Sequence, residues 1–166
     1  MKIKVLPLLV LLSITACSPF GTSRYGKLPT SQPTPNISNQ SAQSVKTWQM
    51  SPNHKQHVNA LSNEAKRLSA QVSSKAITKV QAAQLLNQFR INNVGRNTID
   101  DSVYETYLKS VVQSQAGKIS SAQSKEQIQS ALATWQIAWQ TMGNNRPTNP
   151  AFTNFLLKTM GMKQLQ

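Results

Sequence analysis

The chain has 166 residues, room for one domain of ordinary size with a few tens of residues to spare, so two large domains are excluded. Lys and Arg number 18 against 5 Asp and Glu, a formal +13 with a pI near 10.3, yet only 14% of residues are charged, so amides and hydroxyls supply most of the polar surface. The 39% hydrophobic share sustains a modest core, exceeds that of wholly disordered chains and rules out a protein that crosses a membrane several times.

Lys2 and Lys4 precede an apolar run from Val5 to Leu12, small residues follow, and then comes Cys17, the only cysteine. That is the order of a secretory leader, and a run of about eight apolar residues falls far short of the roughly 20 that a membrane-spanning helix needs. Ile14-Thr15-Ala16-Cys17 resembles the lipobox of bacterial lipoproteins. The resemblance implies that residues 1–16 are a signal peptide removed on export and that the Cys17 thiol takes a diacylglyceryl group, becoming the acylated first residue. A lone cysteine in an exported chain has no disulfide partner within the molecule, and lipidation accounts for its solitude. Several acyl chains, at about 0.8 kcal/mol per buried methylene, hold a protein on a bilayer stably. Ser18 in place of Asp implies, by the same resemblance, the outer membrane of a Gram-negative envelope.

Residues 17–50 are rich in Ser, Thr, Gln, Asn and Pro, contain no acid and show no periodicity. They read as a lipidated, disordered tether. Residues 51–166 read as a helical domain. Ser51-Pro52 marks a helix start, with proline at the first helical position, and Val58, Leu61, Ala65, Leu68 and Val72 form one stripe over the next turns. Thr78 with Gln81 has capping-box spacing, flanked by Ile77 and Ala82 as a staple. Leu85, Leu86 and Phe89 continue that helix towards Gly95, which can end it in a left-handed conformation.

Thr98 and Asp101 have capping spacing before Tyr104, Tyr107, Leu108, Val111 and Val112, and Gly117 closes the segment. Ile119-Ser120 with Gln123 then repeats the earlier staple, cap and partner, and Ile128, Leu132, Trp135, Trp139 and Met142 carry a fourth helix to Gly143. A short last helix begins at Asn149-Pro150 and presents Phe152, Phe155, Leu156 and Met160. The fold class is therefore all-α: a compact bundle of four helices in two αα-hairpins, with a short C-terminal helix packed across them. Two copies of one capping arrangement do not make a repeat array, which needs three or more units.

Chemistry is sparse. With Cys17 acylated no thiol remains, and His54 and His57 lack the acidic or histidine neighbours of a metal site, so they read as solvated first-turn residues and no metal or cofactor is expected. Asp100 and Asp101 fall where negative charge meets the positive end of a helix dipole, which accounts for both. Glu64 and Glu126 read as surface pairs with nearby cations. Glu105 is followed by Thr106 and lacks the Glu-Ser motif of helical enzymes that cleave wall glycans, so a catalytic role is disfavoured.

Removing residues 1–16 leaves 16 cations against 5 acids, scattered from Arg24 to Lys163. Such an excess suits an acidic partner or surface. Trp135 and Trp139 share the face of Ile128 and Leu132, which favours core packing, while the loop Asn144–Pro150 is stiffened by prolines and carries Arg146. A groove beside that loop, with Arg146, Trp135, Trp139 and Phe152, is the expected partner site. The expected function is a non-enzymatic lipoprotein of the outer membrane, bound to the bilayer through acylated Cys17. Its basic helical domain would bind another envelope component, most simply a protein, in assembly, secretion or scaffolding. A polyanion-binding module for lipopolysaccharide, wall polymer or DNA is the alternative.

Overall fold

A computed structural model describes residues 47–166; the expected leader, Cys17 and the expected tether as far as residue 46 lie outside the described residues. Five α-helices follow in order: α1 (His54–Ser73), α2 (Lys79–Asn93), α3 (Thr98–Gln115), α4 (Ser121–Thr141) and α5 (Ala151–Thr159), with a 3-10 turn at Gly143–Asn145. Among the described residues there is no strand, and no helix is long and apolar enough to cross a membrane.

Local sequence sets most of the boundaries. Thr78 and Ser120 are both N-caps of complete capping boxes: each hydroxyl accepts the amide three residues on, and Gln81 and Gln123 return the bond to the cap's own N–H. Gly95 and Gly117, at φ 92° and 69°, reverse the chain after α2 and α3 where a side chain would be strained. After α1 that position falls to Lys75, at φ 61°.

Two starts differ from expectation. The α1 N-cap is Asn53, and Pro52 lies in the turn before it. The chain there is drawn across the α4–α5 loop by Ser51 N–H donating to Thr148 O at 2.7 Å, so the helix can begin only once that crossing is complete. The α3 cap is Asn97, not Thr98; its side-chain oxygen accepts the Asp100 amide at 2.9 Å.

Helix α1 packs on α2, α2 on α3 and α3 on α4, and α5 joins α1, α3 and α4. The last helix packs across the two hairpins and is enclosed by them. Every residue from Ala151 to Leu157 is at most 6% exposed, because a helix apolar on nearly all sides is stable only when enclosed. Phe152 meets Tyr104 and Tyr107 of α3 edge-on, each at 5.9 Å between ring centroids. Leu61, Leu68, Ile99, Val103, Leu132 and Trp139 complete the core around it.

The folded body also begins earlier than composition indicates. Trp48 and Met50 pack against the core, and the Trp48 indole donates to Arg146 O at 2.8 Å. Residues 48–50 thus belong to the folded body.

Candidate functional site

Three polar constellations and one lysine-bearing end stand out. The first is buried. Asp100, in the first turn of α3, is fully enclosed, and its carboxylate caps α5 from outside that helix. Oδ1 accepts the Thr153 amide at 2.9 Å and its hydroxyl at 2.7 Å; Oδ2 accepts the Phe152 amide at 3.1 Å and the Asn97 side chain at 3.0 Å. One carboxylate thus serves the amino-terminal amides of α5 while sitting at the positive end of α3. Burial pushes the Asp100 carboxyl above its ordinary range, against the lowering effect of the bonds from Thr153, Asn97 and Phe152. The expectation that the α3 dipole alone explains Asp100 is corrected: its main task lies 52 and 53 residues away.

Arg90, one of the scattered cations, is fully buried at the end of α2. Its Nη2 donates to Asp101 Oδ1 at 2.6 Å, its Nε to Asn87 Oδ1 at 2.9 Å, and the guanidinium lies 5.9 Å from the Phe152 ring centre. Arg96 adds a second bond to Asp101, at 3.1 Å. Burial works to raise the Asp101 carboxyl, but the hydrogen bonds and charges of Arg90 and Arg96 outweigh it and hold the pKa below the ordinary value. A lowered folded-state pKa adds stability that is fully present above the unfolded value near 3.9 and is lost as pH falls through the folded value. The stability gap between the native protein and Asp101→Asn should therefore be constant, at about 1–3 kcal/mol, from neutral pH down to about 5 and should shrink below about 4. Urea unfolding at pH 7, 5 and 3 measures it; a gap that widens in acid would refute the assignment.

The second constellation joins α1 to the C-terminus. Leu165 N–H donates to Asn154 Oδ1 at 2.7 Å and Leu165 O accepts from Asn154 Nδ2 at 3.0 Å, which fixes the orientation of that amide. Asn154 Nδ2 also lies 2.8 Å from His54 Nε2, so that nitrogen must be an acceptor and the His54 proton sits on Nδ1, facing Asn149 Oδ1 at 2.9 Å. Asn149 Nδ2 in turn donates to His57 Nδ1 at 2.7 Å. These tautomers are assigned from the bond pattern. Both histidines are half-buried and locked into this relay, not solvated as expected. Among the described residues no three His, Cys, Asp or Glu side chains gather as a metal cluster.

The third lies where the partner site was expected. Arg146 sits between two indoles, 5.4 Å from the Trp48 ring centre and 5.2 Å from that of Trp139, and its Nε donates to Trp139 O at 2.8 Å. Trp48 and Trp139 meet edge-on at 5.3 Å. Trp139 is 1% exposed and Phe152 fully buried, so neither side chain offers a surface to a partner. Trp135 is half-buried and donates to Ser102 Oγ at 3.3 Å. Trp48 takes part of the expected groove and pins the start of the domain to the α4–α5 loop, leaving a recess of about 390 Å3 lined by Trp48, Asn144, Arg146 and Thr148.

The charge on the surface is unevenly distributed. Asp100 and Asp101 lie at the end of the bundle where the described chain begins, and Glu64 pairs with Arg67 at 2.6 Å. Glu105 and Glu126 are exposed on α3 and α4, and Glu126 forms no ion pair among the described residues. The α1–α2 and α3–α4 turns meet at the opposite end, where Val80 N–H donates to Gln115 Oε1 at 3.0 Å. Those turns carry Lys75, Lys79 on the first residue of α2, and Lys118, all exposed, and neither contains an acid. The 20 residues of α1 set this end about 30 Å from the start of the domain, at 1.5 Å per residue. The charges are far apart in sequence, so only the topology reveals their convergence.

Comparison of the chain with known protein families, with characterised proteins and with solved structures finds no match. The functional reading rests on these residues and their geometry.

Proposed function

We propose that this protein is an outer-membrane lipoprotein, anchored by acyl chains on Cys17, whose helical domain is a non-catalytic binding module for an acidic component of the envelope, most simply a protein. The leader resemblance supports the anchor. The observation that carries the binding role is the lysine-bearing end: Lys75, Lys79 and Lys118 project from two neighbouring turns free of acids, at the end remote from residue 47. A tethered domain built this way presents unpaired positive charge away from where the chain enters it. Such charge steers encounter with an acidic partner and fixes register more than it adds raw affinity. We favour this end over the recess beside Arg146 because Trp139 and Phe152, expected to line that site, are buried. Assembly, secretion or scaffolding of envelope complexes is the class of task this suits.

Crosslinking in native membranes tests it. The triple variant Lys75→Gln, Lys79→Gln, Lys118→Gln should lose most of the crosslinked partner at low salt and show a shallower dependence on salt, with melting unchanged because all three side chains are exposed. Capture that stays at the native level at low salt would refute the proposal. The same lysines support a polyanion-binding reading, for lipopolysaccharide, wall polymer or DNA. Retention on heparin and DNA alike, falling steeply and in parallel with salt, would favour it over a specific acidic partner.

A further inference from the structure

Helix α5 fills the space between α1 and α3 near the start of the domain, and no α5 residue reaches the cavity of about 250 Å3 that lies further along these helices. Its apolar walls come from Leu68 and Val72 of α1, Ala82 and Leu86 of α2, and Tyr107 and Val111 of α3. The stretch of α1 that lines it, residues 65–72, rises about 10 Å along the axis, so the cavity is a slot and not a bowl. Its volume falls below the roughly 300–1,000 Å3 of sites for drug-sized ligands; it suits one slender chain, not a ring system.

The mouth is polar on one side. Lys79 lines both this slot and the adjoining recess that contains Lys75. Its ammonium forms no ion pair among the described residues. Ser69 also lines the slot, and neither its hydroxyl nor that of Tyr107 is engaged by a protein hydrogen bond there. Burial, with a smaller push from Tyr104, raises the Tyr107 phenol, which stays a neutral donor. An apolar slot with one uncompensated cation at its mouth is complementary to an aliphatic chain that ends in an anion.

We propose that the slot between α1, α2 and α3 binds a single-chain anionic amphiphile, the chain against Leu68, Ala82, Leu86 and Tyr107 and the anionic head at Lys79. This site shares Lys79 with the proposed partner surface, but its apolar walls are its own, and the proposal does not need the protein-binding reading to hold.

The test is titration of the full-length chain with decanoate, below micelle-forming concentrations, while the methyl resonances of Ala65 and Ala82 are followed by NMR. Saturable shifts of both methyls are expected, with decanoate binding at least tenfold tighter than decyltrimethylammonium, which has the same tail and the opposite charge. Lys79→Glu, a surface change that leaves the core intact, should reverse that order. Ala82→Phe should fill the slot and abolish the shift of the Ala65 methyl while the helical circular dichroism is kept. Decyl phosphate, run in parallel, separates the two sources of such a ligand: tighter binding than decanoate points to a lysophospholipid, weaker binding to a free fatty acid. Absence of saturable shifts, equal affinity for the two head charges, or an order unchanged by Lys79→Glu would overturn the proposal.

Discussion

Asp100→Ala should lower the unfolding free energy by about 3–5 kcal/mol, the largest loss expected for any single polar side chain in this protein. The carboxylate accepts the Phe152 and Thr153 amides, the Thr153 hydroxyl and the Asn97 side chain inside a fully buried pocket. Alanine would leave the Phe152 and Thr153 amides and the Thr153 hydroxyl without an acceptor and without water, at about 1–3 kcal/mol for each group left unsatisfied, before any relaxation, while half-buried Asn97 keeps its bond to Asn149 O. Helix α5 is only nine residues long, too short to persist without its cap and its enclosure. The melting temperature should fall on the order of 10–20 °C. Thr153→Val removes one of the donors while keeping the shape, and should cost only about 1 kcal/mol. Similar losses from both substitutions would show that Asp100 does not organise α5.

Trp48→Ala should cost about 2–4 kcal/mol, although sequence places that residue in the tether. It would lose the edge-on contact with Trp139, the cation–π stack with Arg146 and the indole bond to Arg146 O. These are worth roughly 0.5–1.5, 0.5–2 and 0.5–1.5 kcal/mol respectively. Thermal unfolding of two truncations isolates the effect. Removing residues 1–46 should leave the melting temperature unchanged, and removing residues 1–50 should reproduce the loss seen with Trp48→Ala. Equal melting of the two truncations would return residues 47–50 to the tether.

The features legible in the sequence are those whose partners lie within a few residues. Thr78 with Gln81 and Ser120 with Gln123 declare their helix starts because cap and partner are three positions apart. The stripes through Leu61 and Leu68 and through Ile128, Leu132 and Trp139 give the buried faces of α1 and α4, because helical periodicity is local. Asp100 was legible only as a first-turn acid: nothing near it in the chain points to Thr153. Arg90 read as solvated for the same reason, since its burial depends on Asp101 across the α2–α3 turn and on Phe152 from α5. His54 and Asn154 are 100 residues apart, and neither carries a motif that announces the other.

The candidate site shows the same division. Arg146 and Trp139 are recognisable as belonging together, and they do stack, but Trp48 completes the stack from 98 residues away and ties the loop to the start of the domain. The lysine-bearing end was invisible for the complementary reason. Lys75, Lys79 and Lys118 form no run in the sequence, and only the antiparallel order of the hairpins brings their two turns together.

Membrane attachment through one sulfur atom is the claim on which the proposed function turns, and acyl labelling of cells measures it directly. The native chain should incorporate an alkyne analogue of palmitate and sediment with membranes after carbonate extraction, while Cys17→Ser should incorporate none and appear in the soluble fraction. A Cys17→Ser chain that is processed and sediments as the native one does would contradict the account.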